Sequence, residues 1–189
     1  GELVTFDKKD ASNYAMKYNP QFYFEPNCLP DNDNMYDACY IGSARGRYED
    51  ILSLYRKLTN NNLKLNFIIR YEKTDRLNKI KGINYITDNV DYEEIIYVNS
   101  QSRCIVEVMN NGQEGLTLRS LEALFYRRKL ITNNMAVKDL DFYNKDNIFI
   151  DGLDDWRNFS EWLNKPFKDV PKDIRNIYLA SSWLERFFH

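Results

Sequence analysis

From Asp37 onward the residue pattern switches repeatedly between two periods, and that switching limits the fold more than any other feature of the chain. DACYIG, residues 37–42, is a short apolar run of the buried-strand kind, and GRYEDILSLYRKLTN behind it sets Ile51, Leu54, Tyr55 and Leu58 on one helical face. LKLNFIIR predicts a second strand, GINYIT a third, residues 91–99 a helix, and RCIVEVM a fourth strand. GLTLRSLEALFYRR then reads as a helix, KLITNN as a fifth strand and NIFI as a sixth. Strands that alternate with helices pair in parallel through right-handed crossovers, so the chain is predicted to be α/β, an open parallel sheet of about six strands with helices on both faces.

The two ends read differently. In FDKKDASNYAMKY, Asp7 is a candidate cap and Ala11, Tyr14, Ala15 and Tyr18 share a face, which predicts a helix stopped by Asn19-Pro20. Residues 19–36 hold three of the five prolines and read as an irregular connector. Trp156, Phe159, Trp162 and Leu163 predict a short helix, and Pro171 to Phe188 one amphipathic helix with Ile174, Ile177, Tyr178, Leu184 and Phe188 along its stripe. The expected organisation is a connector over 1–36, a central domain over 37–170 and a terminal helix over 171–189.

A chain of 189 residues with 43% hydrophobic residues can bury a core. Its formal net charge of -2 supplies no broad positive field, which argues against generic nucleic-acid binding. No apolar run approaches the ~20 residues that span a bilayer, and residues 1–20 lack the order of a signal peptide, so a cytoplasmic protein is expected. Cys28, Cys39 and Cys104 are odd in number and far apart, and the latter two sit in apolar runs as core filler would. The single histidine is His189, so Ser-His, Cys-His and histidine-metal machinery inside the chain is not expected. Chemistry here falls to carboxylates, arginines, hydroxyls and backbone amides.

In open parallel sheets, ligands lie beyond the carboxyl ends of the strands, so the loops that follow strands carry the candidates. After the first strand comes GSARGR: Gly42, with Ser43 and Gly46, lets the backbone approach a ligand, and Arg45 and Arg47 suit phosphate oxygens beside a helix start. A plain strand-to-helix turn reads the same way. After the fourth strand, in NNGQEGLTLRSLEA, the amides of Leu116 and Thr117 beside Gly115 lie at a helix start and offer a second anion site. If Leu118 points inward, Glu122 falls near Leu121 and Phe125, half out of water and in need of hydrogen-bond donors. Two adjacent ribose hydroxyls would satisfy it, and so would a neighbouring arginine such as Arg119. Glu114 stands before the helix, either toward a sugar or in solvent.

Glu114 and Glu122 form Glu-x7-Glu, and with that the chain resembles the C-terminal, donor-binding half of GT-B glycosyltransferases of the bacterial lipopolysaccharide and surface-polysaccharide type. FDKKDASNYAMKY resembles the interdomain connector, YDACYIGSARGR the first strand and its loop, EGLTLRSLEALFYRRKLITNN the donor signature with the next strand, and DFYNKDNIFI the segment after it. The resemblance implies a Rossmann-like domain and sugar transfer from a nucleotide sugar, retaining and metal-independent, with no cofactor. It implies that Glu114 touches the transferred sugar, Glu122 the ribose, the amides at Gly115 to Thr117 the phosphates, Arg45 and Arg47 the diphosphate leaving group, and Thr87 the base. The partners it implies are the nucleotide sugar, a glycan or lipid-linked acceptor, an N-terminal acceptor domain that this sequence lacks, and peripheral membrane contact through the parent protein.

Two alternatives stand beside it. A receiver-like or degenerate nucleotide-binding module would use the same sheet, but a receiver needs acids at strand ends, where this chain places Asp37 before its strand and Arg70 at the close of the second. A scaffold domain would use EPNCLPDNDN as a docking segment. The basic residues of RYEKTDRLNKIKG read as a solvated face or, for Arg70, as an aid to the site. The Trp156 and Trp162 cluster reads as core, and one or two of the 14 tyrosines are expected in the cleft.

Overall fold

The computed structural model describes residues 2–26, 34–110 and 115–188, the last by its backbone alone. The chain opens with β1 (Val4–Thr5), α1 (Lys8–Asn13) and β2 (Lys17–Tyr18). The central part follows as β3 (Tyr36–Ser43), α2 (Tyr48–Asn60), β4 (Leu65–Arg70), β5 (Asn84–Ile86), α3 (Tyr92–Ser100) and β6 (Ser102–Glu107). Next come α4 (Leu118–Phe125), β7 (Lys129–Thr132), β8 (Ile148–Ile150), α5 (Phe159–Asn164), α6 (Lys172–Ile177) and α7 (Ala180–Phe188). Each strand and helix expected between Asp37 and Ile150 is present.

Strands β3 to β8 form one sheet in the order β5-β4-β3-β6-β7-β8, and each neighbouring pair is parallel. Counted along the chain this is the order 3-2-1-4-5-6, the doubly wound topology of dinucleotide-binding sheets. The direction of winding reverses between β3 and β6. Helices must leave that point toward opposite faces, which opens a crevice beyond the carboxyl ends of these two strands.

Strict alternation divides the strands between two cores. Ala38, Tyr40, Phe67, Ile69, Cys104, Val106, Ile131 and Phe149 face one side, against Ile51, Leu54 and Leu58 of α2 and Phe159, Trp162 and Leu163 of α5. Cys39, Ile41, Ile68, Ile105, Leu130, Ile148 and Ile150 face the other, against Val98 of α3 and Leu121, Leu124 and Phe125 of α4. Both cysteines are buried free thiols, and burial pushes Cys39 up to about 11 and Cys104 to about 12, far from a reactive thiolate. The tryptophans are core packing: Trp156 stacks on Phe159 at 4.8 Å, and Phe149 meets Trp162 at 5.3 Å. Cys28 lies outside the described residues.

Both ends depart from the sequence pattern. Asp7 caps α1 by accepting from the Lys9 and Asp10 amides, but the helix ends at Asn13 and buries none of its residues. Ala15 turns to φ 51, and β2 then pairs in parallel with β1, so the face expected to run on to Tyr18 never forms. The expected single helix from Pro171 to Phe188 is two helices. The break falls where the connector crosses: Tyr23 N donates to Tyr178 O at 2.7 Å, and Ala180 N donates to Tyr23 O at 3.0 Å. Backbone groups at Tyr178 and Ala180 that a continuous helix would use internally are spent on holding the connector. Helix α7 also receives Asn19, which donates to Trp183 O at 3.3 Å and accepts from Arg186 Nε at 2.6 Å.

Lys129 begins β7 almost wholly buried, its ammonium donating to Trp162 O and lying 4.5 Å from the Trp162 ring centroid. Burial draws its pKa down from 10.5 to about 8. A folded-state pKa below the unfolded one means that the unfolded chain binds more protons across that window, so this residue makes stability rise as pH goes from 8 to 10.5. Chemical denaturation at stepped pH should show that rise in the wild type and lose it in Lys129→Met.

Candidate functional site

At the reversal point a cleft of about 430 Å³ is walled by Tyr40, Gly42 and Arg47 from the β3 edge, Glu107 and Val108 from the β6 edge, and Leu116 to Arg119 from the start of α4. Connector residues Phe6 and Gln21 and the α3 residue Tyr92 close its rim. The loops after β3 and β6 meet here. Arg47 staples them, donating from Nε to Ser43 O at 3.0 Å and from a terminal nitrogen to Val108 O at 2.7 Å. A Cβ placed on Gly42 would lie 2.8 Å from the Tyr40 hydroxyl, which itself donates to Ser43 O, so a side chain here would require Tyr40 to shift and give up that bond.

The second loop brings the start of α4 to the wall of the cleft. Gly115 holds φ +113, a conformation that side chains disfavour, and its carbonyl accepts from Asn134 Nδ2 at 3.0 Å. Thr117 is the N-cap, accepting from the Arg119 amide at 3.1 Å and the Ser120 amide at 3.4 Å. Among the described residues no acceptor takes the amides of Leu116 and Thr117. They remain open donors beside the positive end of the helix.

Two buried carboxylates meet at this helix, one at the end of β6 and one within α4. Glu107 closes β6 at 3% exposure and accepts from three hydroxyls: Thr117, Ser120 at 3.0 Å and Thr132 at 2.6 Å. The N-cap residue is therefore tied to the strand end through the carboxylate. Glu122 is 0% exposed. Its Oε2 accepts from Asn99 Nδ2 at 2.7 Å and from Arg119 at 2.5 Å, and its Oε1 from the Tyr92 hydroxyl at 3.0 Å. Arg119 continues to Ile41 O at 3.1 Å, clamping α4 to β3. Burial raises the Glu122 pKa above its usual carboxylate value despite the opposing pull of Arg119, Tyr92 and Asn99.

Of the residues singled out by sequence, Gly42, Arg47, Leu116 and Thr117 line one cleft, and Gly115 borders an adjoining cavity of about 200 Å³ that shares Phe6 and Leu116 with it. Ser43 shapes the turn, its hydroxyl accepting from the Arg45 amide at 3.2 Å, and Arg45 is exposed; neither is among the cleft-lining residues. Thr87 follows β5 at the sheet edge, two strands from β3, and is not among the cleft-lining residues. Glu114 lies outside the described residues. Arg70 ends β4 facing Ser43 across the ladder, but its guanidinium pairs with Glu72 at 3.0 Å, away from the cleft. Leu118 does not mark the inward direction: it is 42% exposed, and Leu121 sets the buried face. Arg119 pairs with Glu122, the partnership weighed for both. Tyr40 and Tyr92 are the tyrosines of the cleft. Sequence reading missed Glu107, whose only signal is a lone acid in the apolar run RCIVEVM, and Tyr92 and Asn99, which carry no signal at all.

Neither a scan against protein-family models nor a search of curated proteins returns a match. Among solved structures, the chain is similar to a chain of the GtfA/B complex, with a TM-score of 0.60 at 13% identity over 98% of this chain and 44% of that one. It also aligns with the C-terminal domain of a glycosyl transferase group 1 family protein (LpcC) from Francisella tularensis, with a TM-score of 0.47 at 15% identity over 79% of this chain and 85% of that one. Staphylococcus aureus homoserine dehydrogenase aligns over 52% of this chain and 25% of its own, at 19% identity and a TM-score of 0.32. At these identities the GtfA/B likeness is one of fold, and the chain spans less than half the length of that neighbour.

Two measurements check the buried carboxylates. Glu107→Ala strands three hydroxyls and should cost about 3 kcal/mol in urea unfolding, against about 1 kcal/mol for Thr132→Val, which removes one of the three. For Glu122, a folded-state pKa raised above the ordinary 4.5 gives a contribution that is complete below that pH and is lost as pH climbs through the raised value. The melting-temperature difference between wild type and Glu122→Gln should therefore fall from acid toward neutral pH, and a flat difference would contradict the burial effect.

Proposed function

We propose that this chain is the nucleotide-sugar-binding half of a glycosyltransferase, and that the parent protein moves a sugar to a glycan or lipid-linked acceptor. The observation that carries this reading is the meeting of two glycine-bearing loops at the reversal point, where Leu116 and Thr117, whose amides have no acceptor among the described residues, line the same cleft of about 430 Å³ as the stapled Arg47. A diphosphate fits that arrangement: amides at a helix start take its oxygens, and Arg47 in the wall, with Arg45 from the same loop, offsets the charge that develops on the leaving group. Glu122 takes the ribose, Glu114 the transferred sugar, and Thr87 the side on which the base lies. The reaction is retaining and metal-independent, of the bacterial surface-polysaccharide or lipopolysaccharide type.

No helix among the described residues is long and apolar enough to cross a membrane. The proposed setting is the cytoplasm, with any membrane contact made through the acceptor or its domain. A second reading, a non-catalytic nucleotide-binding module, draws support from the sealed state of Glu122, whose two oxygens are both occupied by protein donors.

A thermal-shift panel of UDP, GDP, ADP and CMP should pick out one stabilising nucleotide. Arg45→Ala should weaken it about tenfold, the scale of one charge-assisted hydrogen bond. Glu122→Ala should weaken it as well. A protein that melts at the same temperature with every nucleotide would remove this reading. In the full-length parent, Glu114→Ala should lower turnover, and unchanged turnover would remove Glu114 from the catalytic role; a parent that binds the nucleotide but shows no turnover even as wild type would select the second reading.

A further inference from the structure

The residue assigned to the ribose is closed off. Glu122 is 0% exposed, and its Oε1 is taken by the Tyr92 hydroxyl at 3.0 Å, from a residue that lines the cleft where Glu122 does not. We propose, building on the nucleotide-sugar reading, that Tyr92 is the place-holder of the diol subsite: its hydroxyl occupies Glu122 Oε1 until two ribose hydroxyls displace it.

Four observations carry this. First, the Glu122 oxygens are held unequally. Oε2 is fixed by Asn99 at 2.7 Å and by the Arg119 clamp at 2.5 Å, so the carboxylate keeps its orientation during an exchange confined to Oε1. Second, the exchange swaps one hydroxyl donor for another, and a buried carboxylate oxygen is never left without a hydrogen bond, which keeps the step inexpensive. Third, Tyr92 is 43% exposed at the first position of α3, although its hydroxyl is buried against Glu122, so the ring is not locked by packing on all sides. Fourth, there is room for it to go. Tyr92 lines the cleft and also an apolar groove of about 750 Å³ bordered by Phe24, Ile96, Tyr97 and Tyr126. Rotation away from Glu122 carries the ring from the wall between the two cavities into apolar surroundings. Gln21 and Leu118 are the other residues common to both cavities.

The place-holder has an anchor. Tyr92 shares its hydroxyl contact with Tyr23 at 2.8 Å, and since its one proton goes to Glu122, the Tyr23 hydroxyl donates to it. Tyr23 is fixed in turn by its backbone bridge to the segment between α6 and α7. Tyr126 stands beside Tyr23, ring centroids 6.2 Å apart, as a neighbour once Tyr92 has left.

The test is calorimetric titration of UDP, GDP and ADP, each with its 2′,3′-dideoxy form, into wild type, Tyr92→Phe and Tyr23→Phe. Tyr92→Phe removes the competing hydroxyl and should bind the selected ribonucleotide about fivefold tighter, the scale of one net hydrogen bond. Tyr23→Phe leaves Glu122 untouched and only frees the anchor, so it should give a smaller gain and guards against a folding defect in the first variant. The dideoxy form should show no gain in either variant. Binding in both variants no tighter than wild type, or an equal gain with the dideoxy form, would overturn the place-holder while leaving the nucleotide reading intact. Absence of binding to all three proteins would overturn both.

Discussion

A carboxylate taken out of water costs several kcal/mol unless hydrogen bonds replace its hydration. Two such carboxylates meet at α4, Glu107 at the end of β6 and Glu122 within the helix, and the packing of α4 on the sheet depends on supplying their hydrogen bonds. For Glu107 the donors are hydroxyls from the N-cap, the first turn of α4 and the end of β7. For Glu122 they are an amide from α3, a guanidinium from α4 itself and a phenol from the rim. The first set ties α4 to β6 and β7 and the second ties it to α3, with Arg119 reaching on to β3 at Ile41 O. The direction in which the α4 amides point is a product of this arrangement.

The same arrangement governs the field in the cleft. Arg119 is committed to Glu122 and to Ile41 O, and Arg47 spends its guanidinium on the carbonyls of Ser43 and Val108. Positive potential in the cleft therefore comes from the N-terminal end of α4 and from Arg47 as a fixed wall charge. Fixed dipoles and stapled cations need little reorganisation when charge appears beside them, which suits the diphosphate role proposed above. The connector belongs to this system too. Tyr23 reaches Glu122 through Tyr92, so the segment between the first two short strands and the sheet is linked by hydrogen bonds to the buried carboxylate.

Much of the framework was legible because it rests on local periodicity. The apolar runs at 37–42, 65–70 and 102–107 alternate faces as their patterns require, and α2 buries the stripe of Ile51, Leu54 and Leu58 seen in the sequence. The ends were not legible, since what stops α1 is a turn at Ala15 and a strand pair with residues fourteen positions away by neighbouring register, such as Lys17 on Leu3, and what splits the last helix is Tyr23 from the opposite end of the chain. Within the site, glycines and arginines next to strand ends announced themselves by type. Glu107, Asn99 and Tyr92 did not, because a lone acid, amide or phenol has no period, and each acquires its role from partners 10 to 30 positions away.

Sequence alone determined the alternating α/β plan, the parallel sheet, and the two loops placed after the first and fourth strands of that sheet, since each follows from the spacing of apolar residues and from where glycine and charge interrupt it. Tertiary structure alone decided that the winding reverses between those two strands, that Glu122 faces inward under a tyrosine instead of opening to the cleft, and that a second carboxylate anchors the helix cap. The physical reason is the range of the forces concerned. Periodicity is written over a few neighbouring residues, whereas desolvation and its compensating hydrogen bonds depend on groups that meet only after the sheet has closed around them.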